Sequence, residues 1–242
     1  MENILFSICA RGGSKGIKNK NISDFLGKPL ISYSIEQALG SKYCKDIFIS
    51  TDSDDIAEIC KKYGASIISL RPESLANDFA SKFDVWKYHL NNVENELNKS
   101  FQYFFDLDCT CPLRSSSDID NMIDSFINLK HDYDGAITVS DARKNPYFNI
   151  LEFEKSKGLY VSKSSPKRVI RRQDAPVVYD HVASMYLFKT AYIKDADSLF
   201  EGNITGYSVP FERSLDIDSA ADRILVETLF KGLNSELGRL IT

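Results

Sequence analysis

The chain has 242 residues, 43% of them apolar and 26% charged, and a formal net charge of −4 at pH 7. That length suits one large α/β domain with a small appendage, and the acidic balance argues against general nucleic-acid binding, so any basic surface must be local. No apolar run nears the roughly 18 residues of a membrane span and no basic-then-apolar leader opens the chain, so neither membrane insertion nor secretion is expected, and a cytoplasmic location is.

Ile4–Ala10 is a short apolar run of β-compatible side chains and reads as a buried strand. It stops in a loop that sets Arg11, Lys15, Lys18 and Lys20 beside Gly12, Gly13, Ser14 and Gly16. Glycines let the backbone turn sharply and bring its N–H groups near a ligand, and the cations supply what a polyphosphate needs. The loop has neither the Walker nor the dinucleotide glycine spacing. Glycine-rich turns after a first strand also occur where nothing binds. The density of positive side chains favours an anion site here.

Lys28-Pro29 opens a helix with a partly apolar face of Leu30, Ile31, Tyr33, Ser34 and Ala38. Asp46–Thr51 reads as a second strand. Asp52 and Ser53 cap a helix in which Ile56, Ile59, Cys60 and Tyr63 recur at helical spacing, and Gly64 ends it. Ser66–Leu70 reads as a third strand. This alternation predicts a parallel sheet with helices on its faces. Phe83–Leu97 follows as a helix with Val85, Trp86, His89, Leu90 and Val93 inward, His89 reading as packing or a local hydrogen bond. Tyr103–Leu107 is the next strand, Ser117 caps a helix with Ile119, Met122, Ile123, Phe126 and Ile127 on its stripe, and Gly135–Ser140 is another buried strand.

The pattern then changes. From Asp141 to Tyr179 it is polar and broken by Pro146, Pro166 and Pro176, with alternating patches such as Tyr147–Phe153 that suggest short antiparallel strands. We read 141–179 as a lobe leaving a core made of 1–140 and 180–242. The lobe carries Lys163, Lys167, Arg168, Arg171 and Arg172, which form either a solvated face or one that meets an anionic substrate or partner subunit. Ala183–Phe188 returns to strand character. Tyr192–Leu199 reads as a weak helix and Tyr207–Pro210 as a short strand. The last amphipathic helix follows Ser214–Ser219.

Two D-x-D units stand at or after strand ends, Asp106/Asp108 and Asp216/Asp218. In extended backbone, residues two apart point the same way, so each pair can offer two carboxylates to one site. Oxygen ligands without histidine suit Mg²⁺ or Mn²⁺. Asp106 lies inside its strand, where it is also placed to face backbone amides. Cys9, Cys44, Cys60, Cys109 and Cys111 show no disulfide framework and read as reduced thiols, and Cys109-x-Cys111 lacks the second pair that a zinc site needs. A basic glycine loop with a hard-metal carboxylate pair fits attack of an acceptor oxygen on phosphorus. Nucleotidyl transfer and sugar transfer from a nucleotide sugar both remain open on this ground.

Ala10-Arg11-Gly12-Gly13-Ser14-Lys15-Gly16, followed by Lys20-Asn21, resembles the first motif of the acylneuraminate cytidylyltransferases, the CMP-sialic acid synthetases. The resemblance continues in family order through Ser50-Thr51-Asp52, Leu70-Arg71-Pro72, Leu75-Ala76-Asn77-Asp78, Ala80-Ser81, Thr110-x-Pro112-Leu113-Arg114 and Ser214–Ser219. It implies a Rossmann-like, mostly parallel sheet of the nucleotide-diphospho-sugar transferase type with a protruding dimerisation lobe. It also implies a homodimer that joins a nine-carbon 2-keto acid sugar to CMP, using CTP and Mg²⁺ and releasing pyrophosphate. By the same resemblance, Ala10, Arg11, Gly12, Ser14 and Lys15 match the triphosphate loop, and Lys20, Asn21, Arg71, Asp108 and Thr110 match nucleotide contacts. Asp216 and Asp218 match the metal ligands, with Asp216 helping to deprotonate the anomeric hydroxyl. Arg171, Arg172, Gln173 and Tyr186 match the acceptor side, with a lobe arginine meeting the sugar carboxylate across the subunit boundary.

The chain departs from the sialic acid enzymes at Asp108-Cys109, at Cys111 and at Val182-Ala183-Ser184-Met185-Tyr186. The form Leu-Asp-x-x-x-Pro-Leu-Arg, with Asn145–Asn149 and Arg172-Gln173-x-Ala175-Pro176, looks more like the branch that activates legionaminic acid.

Overall fold

The computed structural model describes residues 2–13, 16–165 and 169–233. Ser14, Lys15, Pro166, Lys167 and Arg168, named above, lie outside the described residues. Six strands form one sheet: β1 (Ile4–Cys9), β4 (Ile47–Ser50), β5 (Tyr103–Leu107), β6 (Gly135–Asp141), β9 (Tyr179–Lys189) and β10 (Ile204–Ser208). Their spatial order is β10-β6-β9-β5-β1-β4, and β9 alone runs antiparallel to its neighbours. The continuous apolar run of β1 follows from its place between β5 and β4, where both faces are covered.

Strand alternation sorts the core. Phe6 and Ile8 face a layer built from α1 (Leu30–Leu39), α2 (Asp54–Lys62) and α4 (Ser116–Ile127). Leu5, Phe104 and Phe188 face α3 (Lys82–Leu97) and α5 (Thr190–Asp195). On that second face Trp86 lies 5.0 to 6.2 Å, ring centre to ring centre, from Tyr186, Phe188 and Phe104. Such aromatic pairs add about 1 kcal/mol each beyond their burial. A third cluster seats α6 (Ala220–Leu233) through Val226 on Phe25, Leu30 and Tyr33. Phe25 belongs to a two-residue hairpin, β2 (Asp24–Phe25) and β3 (Lys28–Pro29), whose turn residues Leu26 and Gly27 both have positive φ. Among the described residues no helix is long and apolar enough to cross a membrane.

Several local expectations shift. Ser66–Leu70 is not a strand. Only Ser66 bridges β4, after which the chain turns and Arg71 N–H donates to the Thr51 carbonyl. The helix expected from Lys28-Pro29 begins at Leu30, with Pro29 outside it as the cap. The cap of α4 is Ser115, not Ser117: Ser115 and Asp118 close a reciprocal capping box, so the acid three residues on selects among three consecutive serines. Ser53 alone caps α2 through the Ile56 N–H, leaving the Asp52 carboxylate for other work. The helix expected over 192–199 is the shorter α5, and the strand expected over 207–210 is β10 at 204–208.

Residues between β6 and β9 hold a separate antiparallel pair, β7 (Leu151–Glu154) and β8 (Gly158–Val161). Leu151 pairs with Val161 and Phe153 with Leu159, and all four side chains are exposed.

His89 is fully enclosed, with Nε2 3.3 Å from the Phe48 carbonyl oxygen, as the sequence suggested. Burial lowers its pKa from 6.5 to about 4. The folded state therefore holds His89 neutral while the unfolded chain takes up a proton below pH 6.5. Stability from this residue is complete above pH 6.5 and falls as pH drops toward 4, by up to about 3 kcal/mol. Thermal unfolding of wild type and His89→Gln across that window should show a shallower decline in the variant. Equal slopes would contradict this account.

Candidate active site

The site is built where three strands end. Past β1, the Ala10 N–H donates to the Ser50 carbonyl at 3.0 Å and the Gly12 N–H to Asp52 Oδ1 at 3.0 Å. Behind Asp52 lies buried Arg71, Nη2 3.6 Å from the same oxygen. Asp52 therefore joins the glycine loop to Arg71, which supports the loop from behind. Arg71 Nε has no hydrogen-bond partner among the described residues. Arg11 pairs with Asp78 at 2.9 Å, and its carbonyl accepts from the Asn21 amide at 3.0 Å. Gly16 approaches so closely that a Cβ there would lie 2.4 Å from the Asp218 carbonyl oxygen. Only glycine lets the loop touch the Asp216–Asp218 segment.

That segment is held by the Ile217 N–H, which donates to the Thr110 carbonyl at 3.0 Å, so two carboxylates flank a buried anchor. Lys20 Nζ sits 2.8 Å from Asp218 Oδ1. Burial first, then the neighbouring Asp218, raises the pKa of Asp216. The two carboxylates, one of them paired with Lys20, are hard oxygen donors of the kind that would hold a divalent cation. The donor set fits Mg²⁺. Among the described residues no cluster of three ligating side chains exists.

The far wall comes from the end of β5. Phe104, Asp106 and Asp108 share one face of the strand. Asp108 Oδ1 accepts from the Thr110 N–H at 3.2 Å and the Thr110 hydroxyl at 2.9 Å, and Oδ2 lies 2.9 Å from Lys82 Nζ. Burial opposes ionisation of Asp108, but Lys82 and the Thr110 hydrogen bonds outweigh it and hold its carboxyl below the usual range. Asp106 is fully buried, 3.4 Å from Lys82, and burial raises its pKa. Among the described residues no backbone amide donates to it, the alternative its sequence position allowed. Lys82 also lies 4.2 Å from the centre of the Tyr186 ring.

A three-residue mismatch between strands shapes this wall. Ile137 pairs with Tyr186 but Val139 with His181, so β9 bulges between them. The Thr138 hydroxyl donates to the Met185 carbonyl and accepts from the Met185 N–H, each at 3.0 Å. The freed carbonyls of Ala183 and Ser184 turn to the Asp108–Cys111 loop: Ser184 accepts from the Asp108 N–H at 2.9 Å, Ala183 from the Cys111 thiol at 3.2 Å. Buried Arg114 locks the join. It donates to the Ser184 carbonyl and the Ser34 hydroxyl, both at 2.7 Å, and to the Asp108 carbonyl at 3.2 Å.

These parts enclose a cavity of about 370 Å³ lined by Cys9, Arg11, Gly16, Lys20, Asn21, Asp108, Cys109, Thr110 and Asp218. Cys109 donates to Asn21 Oδ1 at 3.1 Å, and burial raises the Cys9, Cys109 and Cys111 thiols, so none is a nucleophile.

Of the residues singled out from sequence, Arg11, Lys20, Asn21, Asp108, Thr110 and Asp218 meet at this cavity, and Ala10, Gly12 and Arg71 stand behind it. Arg171, Arg172 and Gln173 do not reach it. Arg171 pairs with Asp174 at 2.9 Å, Arg172 donates to the Ala142 carbonyl, and Arg172 and Gln173 line a separate cavity at the lobe's root. Lys82 was missed. It stands one turn before Trp86, at the end of the inward stripe of α3, where a lysine reads as surface.

A parallel sheet with one reversed strand, a glycine-rich basic loop after β1 and a carboxylate pair opposite it define a nucleotidyltransferase of the α/β class. The Cytidylyltransferase family model matches residues 6–209. The chain belongs to the cytidylyltransferase family, which decides for nucleotidyl transfer over sugar transfer. It is 44% identical over 229 residues to a CMP-N,N'-diacetyllegionaminic acid synthase of Campylobacter jejuni, covering 95% of both chains. It is 42% identical to the post-translational flagellin modification protein B of Campylobacter coli, covering 97% of both. An N-acylneuraminate cytidylyltransferase of Streptococcus agalactiae is 34% identical, over 90% of this chain and 51% of that protein. Among solved structures, a CMP:2-keto-3-deoxy-manno-octonic acid synthetase complexed with CTP superposes with a TM-score of 0.70 at 18% identity, covering 95% of this chain and 99% of that one, a likeness of fold.

Proposed function

We propose that the protein joins CTP to N,N'-diacetyllegionaminic acid, forming the CMP-sugar and releasing pyrophosphate. The observation that carries the choice of acid is the 44% identity, end to end, to a synthase of that name, against 29% to a pseudaminic acid cytidylyltransferase of the same organism. The C2 hydroxyl of the acid attacks the α-phosphorus in line. Arg11, Lys15 and Lys20 neutralise the phosphate oxygens, and the loop N–H groups orient them. Asp216 and Asp218 would hold Mg²⁺, which when bound supplies charge neutralisation to the triphosphate. Asp216, partly buried and of raised pKa, is suited to take the proton of the attacking hydroxyl.

The exposed apolar face of Leu151, Phe153, Leu159 and Val161 supports a homodimer through the lobe, which would bring Arg171 and Arg172 toward a neighbour's acceptor site. Sedimentation velocity giving only monomer would contradict that assembly. Use of CTP as a co-substrate supports a cytoplasmic location.

The test is kcat/KM with CTP across four acids: N,N'-diacetyllegionaminic, pseudaminic, N-acetylneuraminic and 2-keto-3-deoxy-manno-octonic. The first should exceed the others by at least about tenfold. A preference for pseudaminic acid would overturn the choice of acid and leave the cytidylyltransferase assignment intact.

A further inference from the structure

Lys82 has no reason to be where it is on helical grounds. A cation in the first turn of α3 opposes the helix dipole. Its place is explained by what it touches: Asp108 at 2.9 Å, Asp106 at 3.4 Å and the face of Tyr186 at 4.2 Å.

Lys82 and Asp108 keep hydrogen-bonding capacity that the fold does not use. An ammonium has three N–H groups and a carboxylate oxygen two lone pairs. Lys82 donates one N–H to Asp108 Oδ2 and stands 3.4 Å from Asp106, whose oxygens have no hydrogen-bond partner among the described residues, so N–H capacity is left on Lys82. Thr110 fills both lone pairs of Asp108 Oδ1, and Lys82 fills one of Oδ2, leaving one. Neither side chain is sealed, with exposures of 35% for Lys82 and 22% for Asp108. Asp108 also lines the candidate cavity. Donor capacity on Lys82 and one acceptor site on Asp108 thus remain side by side. Two carboxylates surround a single cation, so the patch does not favour a carboxylate. The groups that match it are neutral: an amide carbonyl for Lys82, a hydroxyl or amide hydrogen for Asp108.

We propose that Lys82, set by Asp108 and Asp106, determines specificity for the acceptor sugar by donating a hydrogen bond to one of its acylamino carbonyls, while Asp108 Oδ2 accepts from a neighbouring O–H or N–H. This rests on the cytidylyltransferase reading above and names the part of the acceptor that is read. The sugar carboxylate is then held elsewhere.

The experiment measures KM for sugar and for CTP in wild type, Lys82→Met, Lys82→Arg, Asp108→Asn and the neutral double variant, with N,N'-diacetyllegionaminic acid and with 2-keto-3-deoxy-manno-octonic acid, which has no acylamino group. Lys82→Met should raise the KM for the acylated acid at least about tenfold, leave the CTP KM within about twofold, and reduce the preference for that acid by a similar factor. Lys82→Arg keeps a charged donor and should retain part of the preference. The double variant should recover the melting temperature without recovering the sugar KM, which a purely structural role would not allow. Where Lys82→Met does not fold, Lys82→Arg and Asp108→Asn carry the same comparison. An unchanged sugar KM in folded variants, or sugar and CTP KM rising together, would overturn the proposal. Absence of pyrophosphate release by wild type with every acid would instead overturn the reading beneath it, and this proposal with it.

Discussion

Asp216→Asn should lower kcat about 10²–10³-fold while leaving the protein at least as thermally stable as wild type. The two halves of this result have one cause. Asp216 is partly buried next to Asp218, and both circumstances raise its pKa. A carboxyl whose folded pKa lies above its unfolded value is disfavoured in the folded state when ionised, so at pH 7 the asparagine variant is relieved of that cost. The same charge would help hold a divalent cation, and its loss removes about 3–4 kcal/mol of transition-state stabilisation at the rates given. Steady-state turnover and a melting curve on one preparation check both halves. Near-normal turnover would remove Asp216 from the chemistry. A large loss of stability would mean that the carboxylate serves the fold.

The second large effect falls on Arg114, which touches no predicted ligand. Its guanidinium is buried and spans α1, the loop after β5 and the β9 bulge through Ser34, Asp108 and Ser184. Hydrogen bonds to a charged group are worth about 1.5–3 kcal/mol each. The carbonyls it binds keep other donors: Asp108 the Ser34 hydroxyl, Ser184 the Asp108 N–H. The loss is therefore less than the full sum. Arg114→Met should cost about 2–4 kcal/mol, a fall of roughly 5–15 °C in melting temperature. It should also lower kcat/KM about 10²-fold through misplacement of Asp108. Arg114→Lys should not rescue, because an ammonium cannot bridge Ser34 and Ser184 at once. Full rescue by lysine would show that charge alone matters there.

Sequence alone carried the frame because its signals were strong. A strand covered on both faces must be apolar on both, so Ile4–Ala10 could not be mistaken. The basic glycine loop and the Asp216/Asp218 pair were legible for the same reason: their chemistry is unusual for a surface. Other features leave little trace. A bulge such as that between Val182 and Met185 has no period of its own, and here it depends on a distant hydroxyl, Thr138. Ser66–Leu70 has strand composition but pairs through one residue, because the chain turns to bring Arg71 behind Asp52. Lys82 reads as solvated until the fold sets two aspartates and a tyrosine ring around it.

The most direct test of the whole account follows the phosphorus. With wild-type enzyme, CTP, Mg²⁺ and N,N'-diacetyllegionaminic acid, ³¹P NMR should show a new phosphodiester resonance growing in equal amount with pyrophosphate as CTP disappears. CTP left intact, or cleaved to free CMP with no phosphodiester to the sugar, would contradict it.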